Sequence, residues 1–268
     1  GNKRAAALLC KRMGSDTLKN QAKRILKSLG LFGVARAVFR SVSPEVARMK
    51  KRELAFYGQF ISSGDLVFDI GTNLGQKSEI FLANGARVIS LEPNPHCVAY
   101  LNKTIGKSGT CDIVAKAVGA EPGQAELSFR GTSATGSLRG DWHALKFGDG
   151  EMETRMVEIT TLDDLIAEFG VPSFCKIDVE GFEKEVFAGL SQPLPLIEFE
   201  YHSVEKDNAL ACLDRVEKLG AVEYNFAVVD EVVLLHDRWL DPQTFRAKLD
   251  APDAAPVGDI FIRAAGAS

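Results

Sequence analysis

The seven residues Asp69-Ile-Gly71-Thr-Asn73-Leu-Gly75 hold one acid, two glycines and an asparagine. Glycine lets a backbone turn tightly and approach a ligand with no Cβ in the way. Asn73 stands where a third glycine is common, and asparagine tolerates left-handed backbone better than most residues. Glu92 lies 17 residues after Gly75, at the end of the apolar run Arg87–Leu91. An acid there can accept both hydroxyls of a ribose. A third segment, Lys176-Ile-Asp178-Val-Glu180-Gly181, adds two carboxylates. Asp178 is placed to hold a cation or to orient an acceptor, and Glu180 can also serve as a helix N-terminal acid favoured by the helix dipole.

The ligand these residues suit is a nucleoside bearing positive charge. A dinucleotide brings pyrophosphate to its glycine loop, and a GxGxxG spacing serves it; here the residue three after Gly75 is Ser78. An acid at the strand end suits instead the α-ammonium and sulfonium of S-adenosylmethionine. A nicotinamide-dependent reductase is therefore disfavoured, and a non-catalytic binding or assembly module remains open on the same residues.

These residues work only if strands and turns carry them to one edge. Asp65–Ile70, Arg87–Leu91, Cys111–Val118, Phe174–Val179 and Leu194–Glu200 are short apolar runs rich in β-branched and aromatic residues, and read as buried strands. Helices at Gln76–Asn84, Pro95–Ile105, Phe182–Leu190 and Lys206–Leu219 separate them, the first, second and fourth stopped by Gly85, Gly106 and Gly220. Thr161-Leu-Asp-Asp164 reads as a capping box opening a helix that ends at Gly170. Ala125–Phe129 and Arg155–Ile159 read as strands around a Gly/Ser/Thr-rich stretch, and Tyr224–Val229, Val232–His236 and Asp259–Arg263 as late strands. Such alternation predicts an α/β fold with a mostly parallel sheet and helices on both faces. In such sheets ligands bind beyond the carboxyl ends of the strands, where Asp69, Glu92 and Asp178 fall.

The 268 residues, 46% hydrophobic and 25% charged, suit one globular domain with an appendage. The five cysteines are odd in number and form no CxxC pair, which argues against a disulfide framework or a zinc site. The net charge of −4 hides an asymmetry: residues 1–52 carry 14 Lys/Arg against Asp16 and Glu45, or +12, leaving −16 for the remainder. Helical apolar spacing through Leu18, Ala22, Ile25 and Leu29, and a Ser43-Pro44 helix start running to about Phe60, divide the chain into a basic helical extension, 1–60, and a catalytic domain, 61–268. The extension could pack on the domain, pair with a second copy in a homo-oligomer, or rest on an anionic membrane. Nucleic acid is disfavoured by the acidic body. With no apolar run of about 20 residues and no leader pattern, a cytoplasmic protein is expected, membrane-peripheral if the extension binds lipid.

The run Val67–Gly75, then Leu91-Glu-Pro-Asn-Pro95, Thr161-Leu-Asp-Asp-Leu165 and Lys176-Ile-Asp-Val-Glu-Gly181, resembles the FkbM-type methyltransferases of class I. The first two blocks are shared by class I enzymes broadly; the last two are more specific. The resemblance implies a Rossmann-like, seven-stranded sheet whose last strands form an antiparallel pair. It implies S-adenosylmethionine bound by Asp69, Gly71, Asn73 and Gly75, by Glu92 at the ribose, and by Lys116 and Ala117 near the adenine. It also implies O-methylation of a sugar or secondary-metabolite hydroxyl, so the expected partner is a small-molecule or carbohydrate acceptor.

Methyl transfer to a hydroxyl requires alignment of the acceptor oxygen with methyl and sulfur, and benefits from a general base. His202, just past the strand Leu194–Glu200, is the histidine expected to act with Asp178 as a catalytic residue. His143 and Ser137 are candidates to line the acceptor pocket, and His96 is read as local structure. Asp178, Glu180, Glu200 and His202 could instead cradle magnesium or calcium, but their spacing matches no metal motif, and no metal is expected.

Overall fold

A computed structural model of the chain describes residues 44–129, 136–137, 153–228, 231–251 and 254–266. The chain divides into two compact units between Arg52 and Glu53. Helix α1, Pro44–Tyr57, crosses that boundary, and its last turn belongs to the second unit. The rest of the basic extension, residues 1–43, and His143 lie outside the described residues.

The second unit is built on a seven-stranded sheet. In chain order the elements are β1 (Leu66–Ile70), α2 (Gln76–Ala83), β2 (Arg87–Leu91), α3 (Pro95–Lys103), β3 (Cys111–Val114), β4 (Ala117–Val118), β5 (Gly123–Phe129), β6 (Gly136–Ser137), β7 (Glu153–Thr160), α4 (Leu162–Phe169), β8 (Phe174–Ile177), α5 (Glu183–Ala188), β9 (Leu196–His202), α6 (Lys206–Leu219), β10 (Val222–Val228), α7 (Pro242–Leu249) and β11 (Val257–Ala264). The main sheet has the order β10-β11-β9-β8-β1-β2-β3. β3, β2, β1, β8 and β9 run parallel, and β11 is antiparallel to both its neighbours. This is the Rossmann-like class I methyltransferase arrangement, with the antiparallel last pair that was expected. The strand order reverses direction of travel at β1, so the carboxyl ends of β1, β2 and β8 open on one crevice.

Both faces of the sheet are covered. On one, Tyr57 of α1 and Phe81 of α2 meet edge-to-face at 5.1 Å, and both contact Phe174 of β8. On the other, Leu162, Leu165, Val186, Phe187, Leu213 and Val216 pack on Ile177 and Phe199. The Thr161 capping box is present: its side chain accepts from Asp164 N, and Asp164 accepts from Thr161 N.

Most element ends shift by one to three residues from expectation; the strand expected at Leu194–Glu200 runs to His202, so His202 is its last residue and not just past it. Larger differences also occur. The single strand read across Cys111–Val118 is two. β3 pairs with β2 in the main sheet, whereas Ala117 and Val118 pair with Ile159 and Thr160 in a second sheet, β4-β7-β5-β6. Helix α1 ends at Tyr57 rather than Phe60. Val232–His236 forms no strand: Val232 takes a left-handed φ of 54°, and only Leu234 bridges to Ala227.

Candidate active site

The loop after β1 is pinned on two sides. Gly71 N and Thr72 N both donate to Leu91 O at 3.0 Å, fixing the loop to the end of β2. Asp178 N donates to Ile70 O at 2.9 Å, fixing it to the segment after β8. Gly71 sits at φ 82°, and a Cβ there would lie 1.9 Å from the Asp178 carbonyl oxygen, so only glycine fits. Asn73 adopts φ 57°, the left-handed conformation asparagine tolerates.

Glu92 is buried beneath this loop and 6% exposed. Its Oε2 accepts from Asn73 N and its Oε1 from Asn94 N, each at 2.8 Å. Burial pushes its carboxyl up to about 7, against the pull of those two N–H groups. Each carboxylate oxygen keeps a second lone pair for another donor. Asp69 is 2% exposed and stands behind the loop. Its Oδ2 accepts from Ser78 Oγ at 2.5 Å, and its backbone oxygen accepts from Thr72 Oγ1 at 2.7 Å. Burial raises the Asp69 carboxyl, and Ser78 and Lys176 draw it down. Its contacts brace the turn and the start of α2. Ala117 is buried in β4, while Lys116 extends to Glu158 of β7 at 3.3 Å with its side chain 44% exposed.

At the carboxyl end of β8, Asp178 is 38% exposed at its side chain, and its Oδ2 accepts from Lys176 Nζ at 3.3 Å. Glu180 and Gly181 then take φ of 52° and 91°, turning the chain sharply into α5. Glu183, 3% exposed, accepts from Gly181 N at 3.0 Å and from Asn208 Nδ2 at 2.8 Å. Burial pushes its carboxyl up to about 7.

On β9, His202 Nε2 lies 3.2 Å from Glu200 Oε1. The two residues alternate along the strand and so share a face. Gly181, Glu183, Glu200, His202, Glu205 and Asn208 line a small polar pocket at that edge. Glu200 had a signal in the sequence: Glu198-Phe-Glu200-Tyr-His202 puts three polar side chains on one face of a strand. His96 donates its backbone N–H to the N-cap Asn94 and sits edge-on to Phe129, in keeping with a local role. Ser137 pairs with Ser128 through β6. Among the described residues no group of three or more His, Cys, Asp and Glu is gathered to hold a metal ion, so Asp178, Glu180, Glu200 and His202 do not form a metal cradle.

The methyltransferase FkbM domain profile matches residues 69–231, more than half of the chain. The chain belongs to the FkbM methyltransferase family. It is a methyltransferase by family, and S-adenosylmethionine is its cofactor. No curated protein matches the sequence. Among solved structures, it is similar to a precorrin-6Y C5,15-methyltransferase from Geobacter metallireducens, at 12% identity over 84% of this chain and 90% of that one, with a TM-score of 0.42. A SAM-dependent O-methyltransferase from Thermotoga maritima matches at 10% identity over 81% and 66% of the two chains, TM-score 0.39. The C-terminal domain of the Rhodobacter capsulatus precorrin-6Y enzyme matches at 13% identity over 80% and 86%, TM-score 0.36. Identities this low bring no substrate or site from those enzymes to this one.

The FkbM residues fit the cofactor at the end of β2. Asn73 Oδ1 and Asn94 Nδ2, beside Glu92, are buried polar atoms with no hydrogen-bond partner among the described residues. A nucleoside with hydroxyl and amino groups supplies donors and acceptors of that kind.

Proposed function

We propose that this FkbM-family protein methylates a hydroxyl group of a sugar, glycolipid or secondary metabolite by in-line transfer. The observation that carries the reading is the segment 178–181. Its first residue lies against the Gly71 turn, and its last lines the pocket of His202 and Glu200. A donor at the β1–β2 crevice and an acceptor at the β9 pocket would thus meet over one short stretch of backbone, which is the alignment an in-line transfer requires.

The donor supplies an electrophilic methyl group on a sulfonium. When it is bound, Glu92 would hold the ribose hydroxyls, Gly71, Asn73 and Gly75 would shape the turn against the nucleoside, and Lys116 and Ala117 would stand at its adenine side. Asp178 would hold the α-ammonium. His202 takes the proton of the attacking hydroxyl. Glu200, whose Oε1 lies 3.2 Å from His202 Nε2, orients the imidazole. Asp69 acts from behind, holding the turn in shape.

Calorimetry with S-adenosylmethionine, S-adenosylhomocysteine and NAD tests the donor side. Binding of the first two and not the third is expected; NAD binding favours a reductase, and no binding favours an assembly module. A screen of hydroxylated acceptors with labelled donor tests the rest.

No described helix is long and apolar enough to cross a membrane. We propose a cytoplasmic enzyme that forms a homo-oligomer through its basic extension, which carries +12 over residues 1–52. Salt-sensitive sedimentation with anionic vesicles would replace that reading with a membrane-peripheral one.

A further inference from the structure

Lys176 is the most buried cation of the described domain's sheet, at 3% exposure, and lies one step behind the crevice. Its Nζ is 3.3 Å from Asp178 Oδ2 and 3.7 Å from Glu198 Oε1. Glu198 on β9 is fully buried, and Tyr57 of α1 donates its hydroxyl to Glu198 Oε1 at 2.9 Å. Burial works against the ammonium charge, but Asp178, Glu198, Asp259 and Asp69 outweigh it and keep Lys176 protonated well above the ordinary lysine range. Of these four acids, Asp178 is the one set at the carboxyl edge with more than a third of its side chain exposed.

A buried ion pair is a poor source of net stability, because desolvation offsets its attraction. Its usual value is in fixing geometry. A carboxylate on a turn, half in solvent, would otherwise sample several rotamers, each lost entropy on binding. We infer that Lys176 is a positioning residue: held from below by Glu198 and Tyr57, its ammonium fixes Asp178 Oδ2 and so aims Oδ1 at the donor. The inference rests on the placement of Asp178 at the donor site argued above. It makes the last turn of α1 a remote support of the crevice, although no residue of that turn lines the pocket.

The experiment is a double-mutant cycle read as S-adenosylhomocysteine affinity, with the full chain throughout and melting curves as the folding control. Lys176→Met alone strands Glu198 in the core. Lys176→Met with Glu198→Gln removes one charge of each sign, leaves the local net charge unchanged, and lets Tyr57 keep an acceptor. Asp178→Asn should weaken binding about tenfold or more, the scale of a lost charge-assisted hydrogen bond. The neutral pair should weaken it to a similar degree, but by less than about twofold once Asp178 is already Asn. Lys176→Arg should restore most of the affinity. Should the neutral pair not fold, Tyr57→Phe provides the same comparison with a smaller loss. Equal losses with and without Asp178, or no loss from the neutral pair in the presence of Asp178, overturn the inference while leaving the donor site intact. Unchanged binding by Asp178→Asn overturns the placement of Asp178 itself, and the inference with it.

Discussion

Asn73 gives its backbone N–H to Glu92 Oε2 at 2.8 Å, so the turn after β1 is shaped by the same acid that is assigned to the ribose. Burial holds that acid up near 7 from an ordinary 4.5, while Asn94 and Asn73 favour its ionised form. Ribose hydroxyls donate to a carboxylate and favour the ionised form further. Affinity for S-adenosylhomocysteine should therefore rise with pH up to about 7 and level off above it, by as much as tenfold per unit on the acid side. Glu92→Gln should bind more weakly and lose this dependence. Titration calorimetry across neutral pH checks both, and a flat wild-type profile refutes the assignment.

The ligand-free protein should show the opposite trend in stability. Glu92 and Glu183 are both raised from 4.5 to about 7 in the folded state by burial. An acid with a raised folded pKa binds more protons when folded, so its stabilisation is complete below the unfolded value and is lost as pH rises through the folded one. Unfolding free energy from urea titrations should fall between about pH 4.5 and about pH 7. Glu183→Gln should flatten part of that slope. A slope of the other sign would mean that other groups dominate.

Gly71→Ala forces a side chain into a left-handed backbone and against a carbonyl 1.9 Å away. The conformational term alone is about 1–2 kcal/mol, and the clash adds to it. The variant should lose about 2 kcal/mol or more of stability and most of its donor affinity together. Wild-type melting with intact binding would show that the two loops are not in register as described.

His202→Gln and Glu200→Gln address transfer rather than binding. Loss of a general base typically costs about 10²–10⁴-fold. The His202 variant should fall within that range in kcat, and the Glu200 variant should fall less, with donor affinity within about twofold of wild type for both. Equal activity in the His202 variant moves the base elsewhere.

Local features were legible in the sequence. The turn at Asp69–Gly75 and the capping box at Thr161–Asp164 each span a few consecutive residues, and Glu92 directly follows β2, so local spacing exposes them. The break between Val114 and Ala117 did not show, because both sides are apolar strand formers and only their partners, β2 and β7, tell them apart. Val232–His236 has strand composition, yet strand composition specifies no pairing partner. The Tyr57–Glu198 bond joins residues 141 apart and could not be read from periodicity at all. Glu198 and Lys176 are charged residues inside the otherwise apolar runs Leu194–Glu200 and Phe174–Val179. That mismatch was the available sign that they serve more than packing.

The contact between Gly71 and the Asp178 carbonyl has a consequence for engineering. It leaves no clearance between the turn after β1 and the segment after β8, the first proposed for the donor and the second running on toward the proposed acceptor pocket. A chimera that borrows the acceptor half of another family member must therefore carry both the Asp69–Gly75 turn and the Lys176–Gly181 segment from a single parent. A crossover placed between them inherits two surfaces that never grew to fit each other, and redesign of acceptor choice is better confined to the rim beyond Gly181.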